Sequence, residues 1–306
     1  MHQFSRRGFL LPSAGTLLAQ DSTFSTDVNV VTLLATVRDS DGRIVKDLTR
    51  EDFTLSEDGV PQAIRYFSRE SNLPLTVGLL IDTSRSQINV MEPERNASYE
   101  FLDQVLRPEK DQAFVAHFDT RVEVVQGFTS SRQQLRAALD QLEVPVEVAT
   151  LLYEAIRQTA ETMMRPRAGR KAFILLSDGV SFRDKTSIGT AIEYAQRADT
   201  ILYSILFAEH PQAYRPARAA IHAMVSRHGR NAMQRLARET GGAYFEISAG
   251  QTIEDAYAQI EDALRNQYSL GYTPALSDKS AGYRKIKLTV SRPGLVVQTR
   301  DGYYAN

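Results

Sequence analysis

Asp82, Ser84 and Ser86 stand at alternate positions in the run Asp82-Thr83-Ser84-Arg85-Ser86, so three oxygen-bearing side chains share one side of a tight loop. Two more oxygen donors occur further along, Thr150 and the Asp178 of Leu175-Leu176-Ser177-Asp178-Gly179. The five together supply two carboxylates and three hydroxyls, without imidazole or thiolate. Hard oxygen donors with so few carboxylates suit an octahedral divalent ion that keeps some of its waters, most naturally Mg²⁺, with Mn²⁺ or Ca²⁺ as substitutes. If the hydroxyls coordinate directly and a carboxylate acts through water, little negative charge reaches the ion. Such an ion retains a replaceable water position and accepts an Asp or Glu carboxylate from a partner protein. That is adhesion chemistry rather than hydrolysis.

Blander roles compete for each residue. Ser84 and Ser86 could serve as loop and N-cap residues for a following helix, and Asp178-Gly179 could be a plain strand-ending turn. His117 and Asp119 flank a strand end near the crevice: His117 suits a packed or loop position better than a ligand, and Asp119 a turn, with a supporting acceptor behind the site as its other reading. An aspartic protease would need Asp-Thr-Gly twice, and a haloacid-dehalogenase phosphatase would need a second Asp where Ser84 stands. Neither pattern is met. Residues 212–238 hold Arg215, Arg218, Arg227, Arg230, Arg235 and Arg238 with no acidic residue. A solvated helical face explains them, and an anionic docking patch is the sharper reading. With Tyr214 as its lone aromatic, the segment does not suit base stacking on single-stranded nucleic acid.

Composition narrows the field further. Lys and Arg number 36 against 37 for Asp and Glu, leaving a net charge of −1. No global field recruits nucleic acid or an anionic membrane. The chain has no cysteine, which excludes disulfides, thiolate zinc sites, iron–sulfur clusters and thiol nucleophiles. Its five histidines are scattered, without HExxH spacing.

The elements that must position the oxygens follow from the hydrophobic pattern. Asp82 ends a nearly continuous apolar run at 75–81, and Asp178 follows another at 171–176, as expected of strands covered on both faces. Further strands are predicted at 113–118, 122–125, 201–206 and 243–247. Helices are predicted at 90–106, 130–142, 150–164, 187–198, 231–240 and 253–266, with Thr150 opening one and Gly241-Gly242 stopping another. Alternation of this kind predicts an α/β fold, a doubly wound and mostly parallel sheet with helices on both faces. Open sheets of that type bind ligands at the carboxyl ends of their strands, where Asp82 and Asp178 fall. Residues 27–70 and 268–306 read instead as β segments, expected to join in one flanking β-sandwich formed by N- and C-terminal strands.

In order and context, Asp82-Thr83-Ser84-Arg85-Ser86, Thr150-Leu151-Leu152-Tyr153-Glu154-Ala155-Ile156 and Leu175-Leu176-Ser177-Asp178-Gly179 resemble the von Willebrand factor type A domain and its metal-ion-dependent adhesion site. Arg235 to Phe245 is similar to the segment entering that domain's last strand. The whole chain looks like the bacterial exported proteins related to that domain, with the domain itself at 73–267. The resemblance implies that Ser84, Ser86 and Thr150 bind the ion directly, and Asp82 and Asp178 directly or through water. It departs at Val148-Ala149, where the family usually has Gly-Gly or Gly-small, so a stiffer backbone precedes Thr150.

Residues 1–20 read as an address. Ser5-Arg6-Arg7-Gly8-Phe9-Leu10 resembles the bacterial twin-arginine export signal, and the apolar run behind it is too short to span a bilayer permanently. The expectation is an exported, periplasmic or extracellular protein that is not an enzyme and spans no membrane when mature. It would recognise a protein partner, not nucleic acid. The competing expectation is a scaffolding module with a vestigial metal site, making its contacts through sheet edges or the Arg-rich 212–238 segment.

Overall fold

The computed structural model describes residues 30–69, 73–207, 216–248, 250–274 and 282–305. The export-signal run at 1–20 lies outside them, as do 212–215 of the Arg-rich segment. At the N-terminal side, β1 (Val31–Arg38), β2 (Phe53–Glu57), β3 (Val60–Gln62) and β4 (Tyr66–Ser68) follow one another. At the C-terminal side come β11 (Tyr268–Tyr272), β12 (Gly282–Val290), β13 (Val296–Gln298) and β14 (Gly302–Ala305). The two sets interleave into two four-stranded sheets of order β13-β1-β11-β4 and β14-β12-β2-β3. Leu33 faces Leu270 across one ladder, and Leu55 faces Leu288 across the other. Their inward side chains merge into a single core with Phe53, Tyr268 and Tyr272, and the Tyr268 ring meets the Phe53 edge at 5.3 Å. This is the expected sandwich, each half supplying a face the other needs.

The α/β layer runs between these halves. Its strands are β5 (Leu75–Asp82), β6 (Gln112–Phe118), β7 (Val122–Thr129), β8 (Arg170–Ser177), β9 (Thr200–Leu206) and β10 (Tyr244–Glu246). They line up as β10-β9-β8-β5-β6-β7, all parallel except the β6–β7 pair. Helices α1 (Met91–Val105), α2 (Arg132–Asp140), α3 (Leu152–Thr159), α4 (Ile188–Arg197), α5 (Pro216–Thr240) and α6 (Ile253–Arg265) cover both faces. Every residue of β5, β8 and β9 is buried, which accounts for their nearly continuous apolar runs. Gly78 in β5 leaves room for two rings, since a β-carbon there would stand 2.5 Å from Phe114 and 2.8 Å from Phe173.

The largest departure from the expected helices is α5. It begins at Pro216 rather than near 231. Ile221 and Met224 on its first half are exposed, so these apolar residues mark no core-facing stripe in the sequence. Proline at the first helical position fits the start, its missing N–H being one the helix would not use. At the far end Gly241 takes a φ of +88°, and the Gly242 N–H donates to the Ala237 carbonyl, closing the helix as predicted.

Both connections between the layers lie at the starting edge of the parallel strands. The Arg170 guanidinium, at the start of β8, donates to the carbonyl of Leu73 at 3.1 Å and to that of Leu264. Ser68 and Ser269 are paired neighbours in the β4–β11 ladder, so the chain leaves and re-enters the sandwich side by side.

Candidate metal centre

β5 pairs with β6 on one side and β8 on the other, so the strand order reverses at the β5–β8 seam. A crevice opens beyond the carboxyl ends of such strands. Asp82 is the last residue of β5 and Ser177 the last of β8, one step past the paired Ile81 and Leu176. Asp82 is wholly buried, and its carboxylate is fixed by two donors: the Ser84 N–H at 2.9 Å and the Ser177 hydroxyl at 2.6 Å.

The chain then turns, and the Ser84 and Ser86 hydroxyls come within 3.1 Å of each other. Ser84 precedes a short 3₁₀ turn, Arg85–Gln87, yet its side chain makes no capping bond. The N-cap role considered from the sequence is therefore not the one its hydroxyl performs. Thr150 does not open α3 as expected but stands two residues before it, exchanging N–H to carbonyl bonds with Phe182 at 2.9 and 3.1 Å. Asp178 accepts the Val180 N–H at 2.9 Å, and Gly179 takes a φ of +76°, so the turn reading also holds for that pair. Ser84, Ser86, Thr150 and Asp178 all line one cleft of about 300 Å³, with Val148, Phe182 and Val225 at its walls. Asp82 sits behind them through its bond to the Ser84 backbone.

Electrostatics sharpen the picture. Burial first, and then the charge of Asp178, push the Asp82 carboxyl well above the usual carboxylate range. A buried carboxylate raised by a second one nearby marks a place where a cation is favoured. Among the described residues no three His, Asp or Glu side chains converge as a metal cluster, so a cation here would have to draw on hydroxyls. The donors present are of that kind, and they fit a hard divalent ion.

Several contributors escape a reading of the sequence. Ser177 carries no motif signal, although its hydroxyl both donates to Asp82 and accepts the Gly179 N–H at 3.0 Å. Thr83 sits in a variable position of the motif. Its hydroxyl donates to Asp119 at 2.7 Å and lies 2.9 Å from His117 Nδ1, so three buried side chains brace the loop from behind. Burial opposes the charge on Asp119, but the Thr83 hydroxyl, the Arg121 N–H and the Thr120 hydroxyl outweigh it and hold its carboxyl below the usual range. His117 and Asp119 are thus packed bracing residues, and only the strand end at 118 hinted at them.

Residues 77–259 match the family model of the von Willebrand factor type A domain. The chain belongs to that family. Domains of this family are interaction modules. No curated protein sequence matches the chain. Among solved structures it is similar to proximal thread matrix protein 1 from the mussel byssus with a zinc-occupied MIDAS motif, at 14% identity and a TM-score of 0.51. A second crystal form of that protein gives 13% and 0.50. Each comparison covers 68% of this chain and 49% of the mussel chain, so the match spans about half the length of those structures. BatB from Bacteroides thetaiotaomicron is similar at 15% identity and a TM-score of 0.46, covering 63% of this chain and 97% of its own. These likenesses concern the fold, and the zinc belongs to the mussel protein. In this type A domain three arginines of the Arg-rich segment are ion-paired: Arg230 with Glu246, Arg235 with Glu239, and Arg238 with Glu239 and Asp301. Among its described residues no helix is long and apolar enough to cross a membrane.

Proposed function

We propose that this type A domain binds a partner protein through a divalent cation, Mg²⁺ in the first place with Mn²⁺ or Ca²⁺ as substitutes. Ser84, Ser86 and Thr150 would hold the ion, with Asp82 and Asp178 acting directly or through water. The observation that carries the reading is the Ser84–Ser86 hydroxyl pair, which caps no helix and lines the same cleft as Thr150 and Asp178. When bound, the ion supplies a Lewis-acidic position for a carboxylate of the partner. The protein's own part is positional. The Ser84 N–H and the Ser177 hydroxyl fix Asp82, while the Phe182 backbone fixes Thr150.

The rim supports a protein as the partner. Phe182 and Val148 are 48% and 53% exposed, and Ile88 stands out nearby on the turn after Ser86. Arg85 lines the cleft as an exposed cation. Apolar side chains around a positive centre favour an acidic residue flanked by apolar ones. We take 73–267 as the type A unit, with 27–70 and 268–306 as the sandwich, and 1–20 as an export signal that places the protein outside the cytoplasm.

Thermal unfolding with and without MgCl₂ tests this. Saturation at about a hundred times Kd should stabilise the protein by about 2.7 kcal/mol. Asp82→Ala and Ser84→Ala should abolish that response. A wild-type protein indifferent to every divalent ion would sink the proposal and favour a scaffolding module.

A further inference from the structure

Resting on the cation reading above, we infer that Glu94 of α1 belongs to the same centre, as an acceptor that holds the cation's water shell from the helix side. Glu94 is the one charged residue on the buried face of α1 and is only 1% exposed. Neither of its carboxylate oxygens has a hydrogen-bond partner. Gln87 is equally buried. Its amide nitrogen donates to the Ser86 hydroxyl at 3.2 Å, while its Oε1 is also without a partner.

Backbone bonds place these groups in one column that starts at the metal loop. The Gln87 N–H donates to the Ser84 carbonyl, the Val90 N–H to the Gln87 carbonyl and the Glu94 N–H to the Val90 carbonyl, at 2.9, 3.0 and 3.0 Å. Steps of three, three and four residues keep Ser84, Gln87, Val90 and Glu94 on one face of a continuous helical ramp. One turn beyond, the Ser98 hydroxyl is already engaged with the Tyr257 hydroxyl at 2.8 Å. Burial raises the Glu94 carboxyl far above its ordinary range, and the next largest influences are the charges of Asp82 and Asp178.

A buried acid that meets no donor is costly to the fold. Coordinated waters remove that cost, because each brings protons to acceptors that cannot reach the ion themselves. The acids do not converge closely enough to share an ion directly, so water is the link. Three unpartnered oxygens, two from Glu94 and one from Gln87, are a receptor for such waters. The centre would then be backed by three carboxylates rather than two.

Titration with MnCl₂, read as loss of the free Mn²⁺ resonance, tests this on the wild type, Glu94→Gln, Glu94→Leu and Asp82→Ala. Melting in EDTA reports the fold of each. Both Glu94 variants should melt no lower than the wild type, since each removes a buried carboxyl that meets no partner. Both should bind Mn²⁺ about ten- to a hundredfold more weakly, the usual effect of losing an outer-shell partner. If the wild type binds Mn²⁺ and the two variants match it within about twofold, this inference fails and the cation reading stands. If the wild type binds no Mn²⁺, both fail together.

Discussion

The backbone of Gly229 on α5 is pressed against the carbonyl of Asp178: a β-carbon at Gly229 would stand 2.2 Å from that oxygen. The contact is mutual, since a β-carbon at Gly179 would stand 2.3 Å from the Gly229 carbonyl oxygen. Two glycines therefore let a helix backbone seat directly on the loop that carries a cleft carboxylate. Gly229→Ala must push α5 and the 178–180 loop apart. The expected cost is about 1–3 kcal/mol, the range for overpacking a tight contact, measured by urea unfolding. A neutral substitution would mean that the helix is free to slide.

Val148→Gly addresses the departure from the family pattern. Val148 is half exposed, and Thr150 is fixed by its exchange with Phe182 rather than by the residues before it. The glycine variant should bind Mg²⁺ within about twofold of the wild type, as surface changes do. A large gain in affinity would show instead that valine strains the site.

Asp111 ties the start of β5 to the loop after α1, accepting the Leu75 N–H at 2.9 Å and the Arg107 Nε–H at 2.8 Å. Burial raises its pKa, but Arg107 and the two backbone donors outweigh burial and leave the carboxyl below its ordinary value. The folded state therefore holds its proton less tightly than the unfolded chain. Its stabilisation is complete above the ordinary carboxylate value and is lost as pH falls through the lowered one. Asp111→Asn should cost about 1–3 kcal/mol at pH 7, and the gap to the wild type should narrow as pH falls below the ordinary carboxylate range. Urea unfolding at several pH values checks it, and a gap independent of pH would refute it.

Arg170→Met removes the guanidinium that gathers the carbonyls of Leu73 and Leu264. The Leu73 carbonyl keeps the Arg107 guanidinium as a donor, while the buried Leu264 carbonyl loses its donor at a cost of about 1–3 kcal/mol. The denaturation midpoint should fall accordingly, with the Mg²⁺ response kept, because the cleft lies at the opposite ends of the strands. Loss of the Mg²⁺ response in a folded variant would contradict this separation.

The sequence was most legible where one physical rule dominates. The apolar runs ending at Asp82 and Ser177 could only be strands covered on both faces, and the structure buries every residue of both. Alternate oxygens after such a strand announced the cleft. The first half of α5 was hidden because its Ile221 and Met224 stand exposed rather than on a core-facing stripe. Ser177, Glu94 and Gln87 were hidden for another reason. Each works through a neighbour set by the fold, and a serine, glutamate or glutamine in a strand end or helix has no spacing that betrays its target. Thr150 was found as a residue but not as a backbone, since its pairing with Phe182 joins segments far apart in sequence.

The side-by-side exit and return of the chain at Ser68 and Ser269 has a mechanical meaning. Tension applied by a captured partner would pass out of the α/β layer through two covalent tethers at once. Both would draw the adjoining strands β4 and β11 in the same direction, so neither would slide along or peel from the other. An anchorage of that form resists a tug better than a single-stranded stalk.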